Sequence, residues 1–148
     1  MAGIMGHGDA FVLRDPSGIR PAFYYADDEI IVVASERPAI QTAFNVKSNQ
    51  VKEINPGSAL IIKRNGDWSE KQVREPLPKT SCSFERIYFS RGSDVDVYTE
   101  RKKLGFQLTP VILNAIDADI KNSVFSYIPN TAEVAFYGLI EGMTNHLK

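Results

Sequence analysis

His7 and His146 are the only histidines in this chain, and Cys82 is the only cysteine. No Cys/His or His/Glu cluster has the spacing of a metal site. Cys82 lies in SCSFERIYFSR and has three readings: a buried core thiol, an iron–sulfur ligand or a nucleophile. One cysteine cannot hold a cluster by itself, and the core thiol is the preferred reading. No serine is framed by G-x-S-x-G. Gly6-His7-Gly8 begins a G-x-G but has no third glycine and no following helix, so it reads as a turn into a strand. Asn130-Thr131-Ala132-Glu133 is more informative. It follows an apolar run and precedes a helical pattern. A strand that feeds a helix N-terminus presents free N–H groups and a positive dipole end, a geometry that binds phosphate. Every βα corner has this form, so alone it is a weak signal.

The elements that must position these residues change character along the chain. The first half reads as strands: residues 10–13, 22–26, 29–34, 59–63 and 68–73. The run EIIVVA is apolar at consecutive positions, which predicts a strand covered on both faces. Asp27-Asp28 marks a hairpin turn, and Asn65-Gly66 predicts a type I′ hairpin, with both central residues at positive φ. Residues 37–44 read as a helix with Pro38 in its first turn. Pro76, Pro78 and Lys79-Thr80-Ser81 read as a connection between units. In the second half, SDVD at 93–96 supplies an N-cap and acidic first-turn residues. Val97, Leu104, Leu108, Val111 and Ala115 form an apolar stripe, with Pro110 predicting a kink or break near Leu108. Residues 123–128 read as a short strand. Asn130 to Glu133 has the form of a capping box for a last helix, whose stripe is Ala132, Ala135, Phe136, Leu139, Ile140 and Met143.

Composition narrows the function classes. The chain has 148 residues, 43% of them hydrophobic, and its net charge is -1 from 17 basic and 18 acidic residues. Such a balance gives no field for nucleic acid or anionic lipid. The basic run Arg101-Lys102-Lys103 reads as a solvated helix face. A single cysteine forms no internal disulfide and fits a reducing compartment. No apolar run spans a membrane and no secretion signal opens the chain, so a cytoplasmic protein is expected.

Both ends look cut. A strand, a tight turn and a helix at the C-terminus suggest a βαβ unit that lacks its returning strand; the alternative is an edge of a small antiparallel sheet. Residues 1–9 hold no helix to cover the first sheet. An uncovered face of roughly 400 Å² forfeits on the order of 10 kcal/mol, so self-association or poor folding alone is expected.

Five blocks, in order, carry a family resemblance: GHGDAFVLRDPSGIRPAFYY, VVASE, EINPGSALIIK, CSFERIYFSRGSDVDVYTERKKLG and FSYIPNTAE. Together they resemble the amidophosphoribosyltransferases, the glutamine-dependent enzymes that open purine synthesis. DPSGIRP and ASE alone suggest only a class II glutamine amidotransferase; IYFSRGSD followed by the phosphoribosyltransferase-like strand narrows it. The resemblance implies an internal fragment of α+β class. Residues 1–78 would be the C-terminal part of a glutaminase domain, a partial N-terminal-nucleophile hydrolase β-sandwich. Residues 79–122 would be an interdomain connection with a helix, and 123–148 the first strand and helix of a phosphoribosyltransferase domain.

For the whole enzyme the resemblance implies glutamine and phosphoribosyl pyrophosphate as substrates, magnesium as cofactor, and a homo-oligomer with no nucleic-acid or membrane partner. Asn130, Thr131 and Ala132 would belong to the pyrophosphate loop, and Tyr88 and Arg91 to the domain interface. Some family members have an iron–sulfur ligand at the position of Cys82 and others a cysteine without a cluster; both stay open. The departures are equally specific. The family nucleophile is an N-terminal cysteine, but here Met1 is followed by Ala2. No segment matches the glutamine-binding arginine, the oxyanion pair or the acidic phosphoribosyl-pyrophosphate motif. The chain is therefore expected to have neither glutaminase nor transferase activity by itself. RDPSGIRP, with Arg14, Asp15, Gly18, Arg20 and Pro21, reads as a structural corner between adjacent strands of one sheet. Its two arginines are expected to pair with carboxylates from outside the chain. Two alternatives remain: a stand-alone binding or assembly module, and a fragment of another class II amidotransferase, against which IYFSRGSD and IPNTAE argue.

Overall fold

The computed structural model describes residues 1–148 and divides into two units, Met1–Glu85 and Arg86–Lys148. In the first, period-two alternation decides the layers. Seven strands form two antiparallel sheets. β1 (Ala2–Ile4), β2 (Ala10–Leu13), β6 (Ser58–Ile62) and β7 (Trp68–Gln72) make one, in the order β1-β2-β6-β7. β3 (Phe23–Ala26), β4 (Ile31–Ala34) and β5 (Lys52–Glu53) make the other, in the order β4-β3-β5. On one face of the smaller sheet Phe23, Tyr25, Val32 and Ala34 gather with Ile40 of α1 (Arg37–Phe44). On its other face Tyr24, Ala26, Ile31 and Val33 pack with Val12, Leu60 and Ile62 of the larger sheet. The smaller sheet is thus the middle layer, which is why Ile30 to Ala34 is apolar at consecutive positions, although these residues are half-buried rather than fully buried.

Several expectations change here. Residues 2–4 add a strand that was not expected, paired through Gly3↔Phe11, and the turn expected at Gly6-His7-Gly8 follows it into β2. The Asn65-Gly66 hairpin joins β6 to β7, but only Gly66 has positive φ, at 93°. Its N–H bonds Lys63 O at 2.9 Å, and Lys63 N–H bonds Asp67 O at 2.7 Å. This is a four-residue turn closed by a glycine bulge, not a type I′ turn.

The corner at residues 14–21 joins β2 to β3, and these strands lie in different sheets, not in one. Its arginines find partners inside the chain. Arg14 is buried; its guanidinium pairs with Glu53 at 2.7 Å and donates to Ile54 O at 2.6 Å and Arg20 O at 3.2 Å. Arg20 pairs with Glu85, whose carboxylate is buried. The Asp15 carboxylate accepts from Ile19 N–H at 3.1 Å, and Gly18 sits at φ 58°, the left-handed conformation the turn requires. The corner also holds the outgoing chain: Leu77, Thr80 and Cys82 donate N–H groups to Pro16, Ser17 and Ile19 carbonyls at 2.8–3.0 Å.

The second unit is built on α2 (Val95–Ala115) and α3 (Glu133–His146). Pro110 lies inside α2 without breaking it. The buried face of α2 is Val97, Arg101, Gly105 and Thr109; of the expected stripe only Val97 lies on it, and Leu104, Leu108 and Val111 are exposed. Close backbone approach selects the small residues. A Cβ on Gly105 would stand 1.7 Å from Ala135 O, and one on Gly138 would stand 1.8 Å from Lys102 O. Leucines cannot enter such a contact. Lys102 and Glu141 pair at 2.7 Å beside it, and this partner raises the Lys102 pKa. The strand expected at residues 123–128 is absent. The segment keeps a strand's alternation, with Phe125 and Tyr127 half-buried and Val124 and Ile128 exposed. The second unit offers it no strand to pair with, so no ladder forms. No helix is long and apolar enough to cross a membrane.

Candidate functional site

A cleft of about 540 Å³ opens in the second unit. Three pieces of chain surround it. A π-helical turn, Glu85–Phe89, and the loop after it supply Tyr88, Ser90, Arg91 and Ser93. The first turns of α2 supply Tyr98 and Arg101, and the turn before α3 supplies Asn130 and Thr131. Glu133, Val134 and Tyr137 of α3 close the wall.

Local chemistry fixes each piece. Asp94 caps α2: its buried carboxylate accepts from Asp96 N–H at 2.9 Å and Val97 N–H at 3.3 Å. Two turns on, the Arg101 side chain reaches back. Its Nε donates to Arg86 O at 3.0 Å and its Nη2 to Ser90 O at 2.8 Å, which ties both ends of the segment before the loop to the helix. Arg86 is held by Glu100, with Nε to Oε2 at 2.8 Å, and this partner raises its pKa. On the far wall the Tyr137 hydroxyl donates to Glu133 Oε1 at 2.5 Å, and the carboxylate pushes the phenol pKa up. Tyr127 and Phe136 stack at 5.1 Å behind the turn.

The candidate residues read from sequence divide between the two units. Tyr88, Arg91, Asn130 and Thr131, which are distant in sequence, line one cleft. Ala132 is not among the lining residues; it is the N-cap of α3 and has no side-chain oxygen to cap with. The expected capping box does not form, because the helix starts at Glu133 and Asn130 instead offers its carbonyl to Glu133 N–H at 3.2 Å. Cys82 is half-buried in the first unit, with its N–H bonded to Ile19 O. Arg14, Asp15, Gly18, Arg20 and Pro21 lie in the first unit and serve its corner. No three His, Cys, Asp or Glu side chains come together in the chain.

Sequence reasoning missed Arg101. The run Arg101-Lys102-Lys103 was expected to face solvent, and Lys103 does, but Arg101 is 6% exposed. Burial lowers its pKa, and the nearby Arg86 charge lowers it further. The signal that finds it is spacing: Arg101 lies four residues after buried Val97 and four before Gly105, on the packed face.

No protein-family model matches the chain. Among curated proteins it is 35% identical over 125 residues to the amidophosphoribosyltransferase of Bacillus subtilis, covering 82% of this chain and 25% of that protein. It is 28% identical over 141 residues to the amidophosphoribosyltransferase of Lachancea kluyveri, covering 88% of this chain and 27% of that protein. Solved structures agree. Glutamine phosphoribosylpyrophosphate amidotransferase from B. subtilis, complexed with ADP and GMP, matches with a TM-score of 0.65 and 28% identity, over 92% of this chain and 29% of that one. A structure described as the allosteric regulatory enzyme of purine biosynthesis matches with a TM-score of 0.68 and 27% identity, over 90% and 28%. In both sequence and fold, the chain is similar to amidophosphoribosyltransferases and spans about a quarter of the length of the curated relatives it matches.

Proposed function

We propose that this chain is a section of an amidophosphoribosyltransferase. The observation that carries the reading is co-linear similarity, in sequence and in fold, along 82% to 92% of the chain. In the complete enzyme an N-terminal cysteine thiolate attacks the glutamine side-chain amide and ammonia leaves. Ammonia then displaces pyrophosphate from phosphoribosyl pyrophosphate, giving phosphoribosylamine. Residues 1–78 are the C-terminal part of the glutaminase domain, 79–122 the connection, and 123–148 the start of the transferase domain. The first unit holds a single thiol, Cys82.

The second unit contributes to the transferase half. Asn130 and Thr131 present polar groups to the cleft, and Ala132 starts the helix behind them. Their role in this reading is to receive the leaving pyrophosphate, whose developing charge is stabilised by oriented N–H donors. Tyr88 of the π-helical turn and Arg91 of the loop after it line the same cleft and belong, in this reading, to the surface where the two halves of the enzyme meet. Magnesium, when bound, neutralises pyrophosphate charge. The enzyme is a cytoplasmic homo-oligomer in this reading.

The encoding DNA tests it. The reading predicts a frame that continues upstream to a Met-Cys start and downstream through a strand that ends in paired aspartates. In-frame stop codons close to both ends of the 148 codons would overturn it in favour of a stand-alone binding module.

A further inference from the structure

The chain has eight asparagines, and only Asn65 is followed by glycine. A glycine has no Cβ to shield its own nitrogen or to restrict its φ. Its nitrogen is therefore the backbone amide best able to turn on the asparagine side chain before it. Asn55 is the opposite case, because Pro56 has no N–H to lose.

The β6–β7 turn presents this pair for reaction. Lys63 to Trp68 are exposed, and Gly66 stands at φ 93°. Beyond its chain neighbours, nothing lies within 4 Å of where a Gly66 Cβ would be. The Asn65 carboxamide is held at both ends by Asp67. Its Oδ1 accepts from Asp67 N–H at 3.1 Å, and its Nδ2 donates to Asp67 Oδ2 at 2.7 Å. The first of these bonds closes a ring across Gly66 and folds the carboxamide back over the Asn65–Gly66 peptide. It also sets an N–H donor on the oxygen that turns negative when Cγ is attacked. One bond opposes the attack: Gly66 N–H donates to Lys63 O at 2.9 Å. That bond lies in an exposed turn, where local opening takes a small part of the global unfolding free energy.

We propose that Asn65 is a site of spontaneous covalent modification, at which the Gly66 nitrogen attacks the Asn65 side chain. The Gly66 amide gives its proton to solvent base, and its nitrogen forms a bond to Asn65 Cγ. The Cγ–Nδ2 bond breaks, and Nδ2 takes a proton from water and leaves as ammonia. One water molecule then opens the cyclic imide. Opening at the side-chain carbonyl leaves aspartate, and opening at the main-chain carbonyl leaves isoaspartate. In sum, one water is consumed and one ammonia is released, with no change of oxidation state. Either product loosens the turn. A carboxylate replaces the Nδ2 donor and stands against the Asp67 carboxylate, which repels it. Isoaspartate also lengthens the main chain by a methylene inside the loop that the Lys63 N–H to Asp67 O bond closes at 2.7 Å.

The test ages the 148-residue chain at neutral and at mildly alkaline pH, and maps its peptides by mass and by isoaspartyl methylation. Asn122, which is also exposed but is followed by Ser123, is the internal standard. The expected result is a mixture of isoaspartate and aspartate at Asn65, formed about tenfold or more faster than acid at Asn122, with a rate that rises with pH. Gly66→Ala should slow the reaction by a similar factor, and the aged parent should unfold at lower urea than the fresh one when followed by Trp68 fluorescence. Asn122 reacting as fast as Asn65 would overturn the proposal. So would a rate indifferent to pH. Aspartate without isoaspartate would overturn the attack by Gly66, because direct hydrolysis of the side chain gives aspartate alone; this reading is made on the parent and needs no variant to fold. An unchanged urea midpoint after complete conversion would overturn the loosening of the turn.

Discussion

Replacing Gly138 with alanine should split the second unit. The Cβ would stand 1.8 Å from Lys102 O, 2.8 Å from Lys102 C and 2.9 Å from Phe106 N, all backbone atoms of α2 that no rotamer change can remove. Real Cβ contacts stay above 3.0 Å, so the helices must part locally by at least 3.0 − 1.8 = 1.2 Å. A gap of about 1 Å already forfeits up to half of each dispersion contact along the seam. Overpacking of this kind costs about 3 kcal/mol, and the better helix propensity of alanine returns about 1 kcal/mol. The net loss is about 2 kcal/mol, roughly a thirtyfold shift toward the open pair. Urea unfolding followed by far-ultraviolet circular dichroism reads it, because the two long helices lie in this unit. Gly6→Ala is the control: nothing lies within 4 Å of its Cβ position, and its stability should stay within about 0.5 kcal/mol of the parent. A Gly138→Ala chain as stable as the parent would refute the backbone-to-backbone packing, and with it the framework that holds Arg101 under the cleft.

Two further predictions concern the first unit, where Trp68 is the only tryptophan and reports unfolding by fluorescence. Arg14→Met removes donors from Ile54 O and Arg20 O and should lower stability by about 2–3 kcal/mol. The ion pair adds little to this, because the Glu53 side chain is 39% exposed; a urea midpoint unchanged from the parent would contradict the corner's role. Asp9 clasps the β6–β7 turn through Lys63 Nζ at 2.6 Å and Arg64 N–H at 3.0 Å, with His7 at 3.2 Å, and its pKa is lowered to about 2. A carboxyl whose folded pKa is depressed stabilises above its unfolded value near 4 and loses that contribution as pH falls through about 2. Asp9→Asn should therefore be less stable than the parent at neutral pH and indistinguishable from it below about pH 2. A stability difference that persists in acid would show that the carboxylate charge is not what holds the clasp.

Legibility followed the range of the interactions. β2, β3, β4, α1 and the β6–β7 hairpin could be read from sequence because alternation and turn residues are local signals. The face of α2 was misread because hydrophobic periodicity assumes that leucines mark the buried side. Here the closest contact is between backbones, and it selects Gly105, Gly138 and Gly142 while Leu104 and Leu108 stay exposed. The run at 123–128 has strand composition, but a strand is a property of a pair, and composition cannot supply the neighbour. Tyr88 and Arg91 on one side and Asn130 and Thr131 on the other were named through the family resemblance for two separate roles, and nothing in the sequence showed that they line one cleft. Arg101 was hidden by the two lysines after it, which made a buried charge look like part of a solvated run.

The most direct measurement is made on the protein encoded by the complete reading frame, supplied with glutamine and phosphoribosyl pyrophosphate and assayed for both products. The account predicts glutamate and pyrophosphate released in equal amounts, with glutamate release rising when phosphoribosyl pyrophosphate is added. A full-frame protein that binds its phosphorylated ligand but releases neither product would contradict it.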